Sequence, residues 1–198
     1  GKEFPLFDYQ KILYDSLMIE SFDKKDNFKN RHLWIKKSTG IGATEFMLRL
    51  MAWLAVKDDS FKNSQMVIVV SPNLDLAIKL MKRLKGIFEN KLGIYFNEKE
   101  TALNLNGCNI EAYPSNHLDS YRALTNPKFI LIDEGDFFRK SEQQDVRHVT
   151  ERYIGKSDPY IVLVSTPNAP NLLFEKIEKE PEETCIYKRL FLDYTYGL

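Results

Sequence analysis

The sequence predicts an α/β domain built on a mainly parallel sheet. Three stretches, 65–71 (QMVIVVS), 128–133 (KFILID) and 160–165 (YIVLVS), are almost unbroken apolar runs. Strands covered on both faces read this way, whereas half-exposed strands alternate. Helical periodicity fills the intervals between them, and that alternation of strand and helix is the pattern of a parallel sheet flanked by helices.

Taken in order, residues 6–21 carry Leu6, Tyr9, Leu13 and Leu17 at helical spacing, and a polar, lysine-rich turn over 23–30 ends that helix. Residues 32–36 form a short strand and 43–56 a proline-free helix, so the glycines between them sit at a strand-to-helix junction. The strand over 65–71 is followed by a basic amphipathic helix over 74–90, completing a second strand–helix unit. Three short alternating segments follow, 94–96, 102–105 and 109–112, and Asn106 Gly107 between the last two is a hairpin signal. A helix over 142–153 separates the last two buried strands. No repeat or low-complexity tract interrupts the pattern.

With 198 residues, 43% of them hydrophobic, the chain suits one well-cored domain over 1–198. It divides into an N-terminal helical region (1–30), a core (31–170) and a C-terminal extension (171–198). The abrupt ending at Leu198, without a polar tail, suits an excised domain. Basic and acidic side chains number 28 each, so any nucleic-acid binding rests on a local patch rather than a global field. Cys108 and Cys185 lack the paired spacing of a zinc site and read as reduced, incidental thiols. No stretch approaches the ~20 apolar residues that span a bilayer, and no basic segment followed by an apolar run opens the chain, so a soluble, unsecreted protein without membrane association is expected.

The chemistry begins at 37–44 (KSTGIGAT). A phosphate-binding loop, G-x-x-x-x-G-K-[ST], wraps phosphates in backbone N–H groups, sends its lysine to the β/γ oxygens and places a hydroxyl on magnesium. On that frame Gly42 and Thr44 fit, Ala43 occupies the lysine slot and Lys37 the first glycine slot. Ser38, Thr39, Gly40 and Ile41 complete the loop. A lysine stem is long enough to reach phosphates from the start of a curled loop, so Lys37 and Lys36 are both candidates.

The run 128–133 ends in Asp133 Glu134, adjacent carboxylates at the carboxyl end of a buried strand, where ligands of open α/β sheets sit. Phosphoryl transfer needs one carboxylate near magnesium and another group to orient or deprotonate water. Taken alone, such a pair is often a strand meeting a solvated turn; downstream of a glycine loop it gains chemical meaning. Ser165 Thr166 Pro167 closes another buried strand with two hydroxyls able to sense a γ-phosphate through water. Upstream, Gln10 follows several aromatics, and a glutamine amide can donate to and accept from adenine at once.

These elements, in this order, resemble the ATPase motor domain of the large terminase subunit, which packages DNA into viral capsids. The resemblance covers almost the whole chain, through 6–10, 37–44, 67–84, 109–112, 120–123, 130–134 and 165–167. It implies a RecA-like P-loop NTPase fold of the additional-strand, catalytic-glutamate class, with ATP and Mg2+ as ligands. It implies Gln10 as adenine reader, Lys37 as phosphate ligand, Thr44 and Asp133 at magnesium, Glu134 as catalytic base and Thr166 as coupling residue. Arg122 falls where the family carries an arginine that reaches a neighbouring subunit's ATP, although Ala123 replaces the usual glycine after it; Arg139 and Arg147 are the reserves. The expected partners are double-stranded DNA, a portal protein, a small terminase subunit and further copies of the chain in a ring, in the cytoplasm of a host cell.

The basic helix carries Lys79, Lys82, Arg83, Lys85 and Lys91 against Asp75 and Glu89, which fits either a DNA-tracking face or a solvated one. Nothing after Pro170 offers an acidic metal cluster, so no nuclease activity is expected, and the glutamates and lysines of 175–183 read as a solvated segment. Two other readings stand beside the motor. One is a superfamily 2 helicase-like translocase lobe, which would need a second lobe; the other is a non-hydrolysing nucleotide- or DNA-binding module.

Overall fold

A computed structural model describes residues 5–19, 31–97 and 99–197. Its strands are β1 (His32–Lys37), β2 (Gln65–Val70), β3 (Ala102–Leu105), β4 (Cys108–Pro114), β5 (Pro127–Asp133), β6 (Tyr160–Ser165) and β7 (Lys188–Leu192). The α-helices are α1 (Asp8–Tyr14), α2 (Ala43–Lys57), α3 (Leu74–Leu92), α4 (Leu118–Arg122), α5 (Lys140–Glu151), α6 (Ile154–Ser157) and α7 (Leu173–Glu178). A π-helical turn, Asp15–Ile19, continues α1. The expected turn over 23–30 lies outside the described residues.

The strands form one sheet in the order β3-β4-β2-β5-β6-β1-β7. All pairings are parallel except β3 with β4. That antiparallel pair turns at Asn106 (φ +54) and Gly107 (φ +79), the successive left-handed residues a tight hairpin needs. The expected strand at 94–96 does not form; Phe96 instead packs edge-on against Phe88 of α3, with ring centroids 5.5 Å apart.

The period-two alternation of the strands sorts the apolar residues into two cores. Leu33, Ile35, Ile68, Leu131 and Val164 face α2 and α3, while Trp34, Val69, Ile132 and Leu163 face α5 and α7. This explains the apolar runs: every strand side chain from Met66 to Val70 and from Ile161 to Ser165 is buried. α3 is bounded locally by its sequence, with the Asn73 side chain accepting from the Asp75 amide and Gly93 in the left-handed region at its end.

The C-terminal segment departs from the sequence reading. β7, from the segment expected to be an extension, lies beside β1 as an edge strand of the sheet. The run over 175–183 is exposed or half-exposed as expected except at Ile177, which α7 buries together with Leu173 and Phe174 just before the run. Its glutamates are partly engaged: Glu178 pairs with Lys36 at 2.9 Å and Glu180 with Arg147. Charge density hid a short amphipathic helix whose apolar residues are only three in number. Both cysteines are free and buried. No helix among the described residues is long and apolar enough to cross a membrane.

His32, the first residue of β1, is buried, and burial lowers its pKa against smaller opposing pulls from Asp158 and the Ile186 backbone. The unfolded chain therefore takes up a proton that the folded ring resists, so stability falls as pH drops below about 6.5, the unperturbed histidine value. Chemical denaturation between pH 7 and 5 should show this loss, and His32→Gln should reduce it.

Candidate nucleotide site

β1 delivers the chain to the carboxyl edge of the sheet at Lys37. Ser38 is tied down there by its amide, which donates to the Leu192 carbonyl at 2.9 Å. The loop then turns through Gly40 (φ +83) and Gly42 (φ +85), left-handed conformations that disfavour any side chain. Gly42 caps α2 without a side-chain partner, leaving backbone N–H groups at the helix start for an anion. Ile41 and Ala43 point into the core at 8% and 1% exposure. The slot that usually carries the lysine is thus a packing position here, and Thr39 and Gly40 form the exposed rim.

Lys36 and Lys37 alternate across the sheet. Lys36 falls on the Trp34 side, where its ammonium donates to Glu178 of α7. Lys37 falls on the α2 side, buried, and donates to Glu134 Oε1 at 2.5 Å and to Thr166 Oγ1 at 3.2 Å. β6 lies between β1 and β5, so Thr166 just beyond its end sits between the loop lysine and the Asp133–Glu134 pair. On the same face Thr44 Oγ1 donates to Asp133 Oδ1 at 2.7 Å.

The two carboxylates occupy different environments. Burial pushes the Asp133 carboxyl up to about 6, opposed by the Thr44 hydrogen bond. Glu134 lies outside the strand in the left-handed region, φ +52, a conformation costing roughly 1–2 kcal/mol for a residue with a side chain. Its Oε2 accepts from the Thr166 amide at 3.0 Å and the Ser165 hydroxyl at 3.3 Å. The backbone strain turns Glu134 away from Asp133 and toward the loop, as strained residues at functional sites commonly do.

A hydrogen-bonded frame behind this turn escaped the sequence reading. Asp136, 2% exposed, accepts from the Asn168 amide at 2.8 Å and the Phe174 amide at 3.2 Å, and its own amide donates to Ser165 Oγ. Gln143 of α5 donates to the Asp136 and Phe138 carbonyls and accepts from the Leu173 amide. These buried polar groups lock the turn after β5 to the loop after β6 and to α7. The available signal was weak: an aspartate two residues beyond Glu134, in a stretch with no apolar periodicity.

Gln10 lies on α1 beside the loop, its Oε1 accepting from the Phe7 amide and its Nε2 donating to the Tyr9 hydroxyl at 3.1 Å. Tyr9 abuts Gly42: a Cβ added there would lie 2.9 Å from the Tyr9 hydroxyl. The arginines are elsewhere. Arg122 ends α4 and pairs loosely with Asp119 at 3.6 Å; Arg139 is 65% exposed; Arg147 is engaged by Glu151 and Glu180. On α3, Arg83 pairs with Glu45, and Lys85 donates to the Lys99 carbonyl.

Residues 34–184, well over half of the chain, match the family model described as the terminase large subunit, T4likevirus-type, N-terminal. The chain belongs to this large terminase family. Among solved structures it is similar to the large terminase ATPase domain of Thermus phage P74-26, at 12% identity, TM-score 0.62, with 95% of this chain and 86% of that one covered. The HK97 bacteriophage large terminase gives 13% identity and a TM-score of 0.70 over 98% of this chain. The large terminase from a thermophilic bacteriophage gives 14% and 0.67 over 96%. This chain spans 40% of the HK97 chain and 46% of the thermophilic phage chain. Among curated proteins none matches the sequence. The mostly parallel seven-stranded sheet with one antiparallel pair is thus the RecA-like fold of terminase ATPase domains.

The Thr44 hydroxyl and Asp133 carboxylate present hard oxygen donors, the type magnesium takes when only one or two protein groups hold it. Asp133 is buried and its charge undercompensated, which a cation would relieve. Both observations fit the ion.

Gly42→Ala should destabilise the fold by about 1–3 kcal/mol, from the left-handed backbone and the contact with Tyr9. In the Tyr9→Phe background the contact part of that loss should shrink while the backbone part persists, as thermal melts of the four proteins would show.

Proposed function

We propose that this chain is the magnesium-dependent ATPase motor of a DNA-packaging terminase. The observation that carries the reading is the meeting of Lys37, Glu134 and Thr166 beside Thr44 and Asp133 at the carboxyl edge of the sheet. Loop amides from Ser38 to Thr44 wrap the triphosphate, Lys37 neutralises its β/γ oxygens, and Gln10 exchanges its contact with Tyr9 for the adenine edge. Magnesium on Thr44 and Asp133 would screen phosphate charge.

In this reading Lys37 has two alternative partners. One is Glu134 Oε1, to which its ammonium donates. Phosphate oxygens compete for the same ammonium, and its departure leaves Oε1 open to accept a hydrogen bond from the attacking water. Oε2 stays held by the Thr166 amide and Ser165 hydroxyl, so the carboxylate keeps its orientation while changing its task. Thr166, touching the same lysine, reports the exchange to the loop after β6 and, through Asp136, to α7.

Arg122 lies outside this cluster and is assigned to the nucleotide of a neighbouring copy, in a ring that moves double-stranded DNA toward a portal with help from a small subunit, in the host cytoplasm. Catalysis by the isolated domain is accordingly slow.

Magnesium-dependent phosphate release tests the assignment. Glu134→Gln should lower turnover by about 10²–10⁴-fold while a fluorescent ATP analogue still binds, the size expected for a lost general base. Lys37→Ala should lose both binding and turnover, and Lys36→Ala should keep both. Unchanged hydrolysis in Glu134→Gln would overturn the base assignment; binding without turnover in the unmodified chain would make it a non-hydrolysing module.

A further inference from the structure

α2 is covered on nearly every side except along one stripe. Of its residues only Arg49, Trp53 and Lys57, spaced four apart, are exposed. A solvated face needs only the two cations, and a tryptophan 46% exposed between them adds a large apolar surface to water. Beside this stripe runs α3, joined to α2 by the Glu45–Arg83 pair. Between the last turns of the two helices lies a groove of about 200 Å³. Ala52 and Phe88 are buried at its floor, Val56 and Ile87 are half-buried, and Trp53 and Leu92 stand exposed at its lip. Arg49, Lys57 and Lys91 complete the lining, and among the described residues no carboxylate lines it. Both helices follow parallel strands and end at the amino edge of the sheet, away from the nucleotide loop. Trp53 is nine residues beyond Thr44, roughly 13 Å along α2.

The groove has room for one or two apolar side chains of a partner and falls short of the roughly 300 Å³ at which small-molecule pockets begin. The charges around it define that partner further. α2 and α3 carry seven cations against three carboxylates. Of those carboxylates, Glu45 is shared between Arg49 and Arg83, and Asp75 sits in the first turn of α3, at the opposite end from the groove. Lys57 and Lys91, which flank the apolar lining, have no carboxylate within ion-pair distance among the described residues. Each lies in the last turn of its helix, whose negative end offsets about half a unit of charge. The chain as a whole carries no net charge, so the excess belongs to this face. A nucleic-acid backbone would satisfy the cations and leave Trp53, Val56, Ile87 and Leu92 facing water.

We propose that this groove docks an acidic amphipathic helix of another protein. The side-chain ridge of a third helix fits the furrow between two packed ones, and apolar anchors one turn apart fill it. Trp53 is then the buried aromatic at the centre of the interface. Lys57 and Lys91 form a basic rim that meets glutamates or aspartates on the partner's flanks. The surface stands apart from the nucleotide site and does not rest on the ATPase reading.

The probe is a synthetic helical peptide with leucine and phenylalanine one turn apart and glutamates on either side. Labelled, it should bind the full chain saturably in fluorescence anisotropy. Unlabelled, it should move the emission of Trp53 to shorter wavelength, while the chain's other tryptophan, Trp34, is already buried and should not respond. Trp53→Ala and the double variant Lys57→Gln/Lys91→Gln should each weaken binding by about tenfold or more, the scale of an interface hot spot. All three positions are exposed, so circular dichroism of the variants should match that of the unmodified chain. A peptide with lysines in place of the glutamates should not bind. Absent or unsaturable binding of the acidic peptide, an affinity unaltered by Trp53→Ala, or equal affinity for the lysine peptide would overturn the proposal. So would either rival occupant, seen as a DNA duplex that displaces the peptide or as a concentration-dependent dimer that shifts Trp53 emission without any peptide.

Discussion

The ion pair between Lys37 and Glu134 depends on the order of three strands, and most of the site depends on it in turn. β6 lies between β1 and β5, so the loop lysine and the strand-end glutamate are held two strand positions apart, near 10 Å at the usual spacing. The lysine stem and the turned-out glutamate close that gap, and Thr166 occupies the space between. Remove the intervening strand and the two side chains would collide or miss. Move Lys37 by one residue and it would leave for the opposite face, where Lys36 already binds Glu178.

Glu134 shows how the frame and the chemistry are joined. A left-handed residue with a side chain persists only when its surroundings determine it. Here the following turn is fixed by the buried carboxylate of Asp136, which gathers two amides from the segment after β6 and the start of α7, while Gln143 braces it from α5. These bonds lie in a dry region where an unmet partner is costly, so the turn behaves as one unit. The same bonds join the Glu134 turn to α7, which the Lys36–Glu178 pair ties back to β1.

Much of the architecture was legible because burial leaves a direct trace in sequence. Strands covered on both faces must be apolar throughout, and β2, β5 and β6 could be read off almost to the residue. The glycine loop, the Asp133–Glu134 strand end and the hairpin at Asn106 Gly107 were legible for a similar local reason: each needs particular residues to satisfy its own backbone or chemistry. β7 and α7 were not. An edge strand is only half buried and α7 is a single turn and a half, so neither builds a periodic signal, and the surrounding charges mask what little there is. The pairing of Glu180 with Arg147 and the bracing by Asp136 join residues more than thirty positions apart, beyond any local pattern.

The sequence by itself determined the fold class, the loop and the candidate carboxylates, because these follow from hydrophobic burial and backbone geometry over a few neighbouring residues. Only the tertiary structure decided which of two adjacent lysines faces the carboxylates. Strand alternation sends them to opposite faces, and which face meets Glu134 depends on how β1, β6 and β5 lie side by side. It also decided that Ala43 is a core residue, since its place is set by what packs beneath α2.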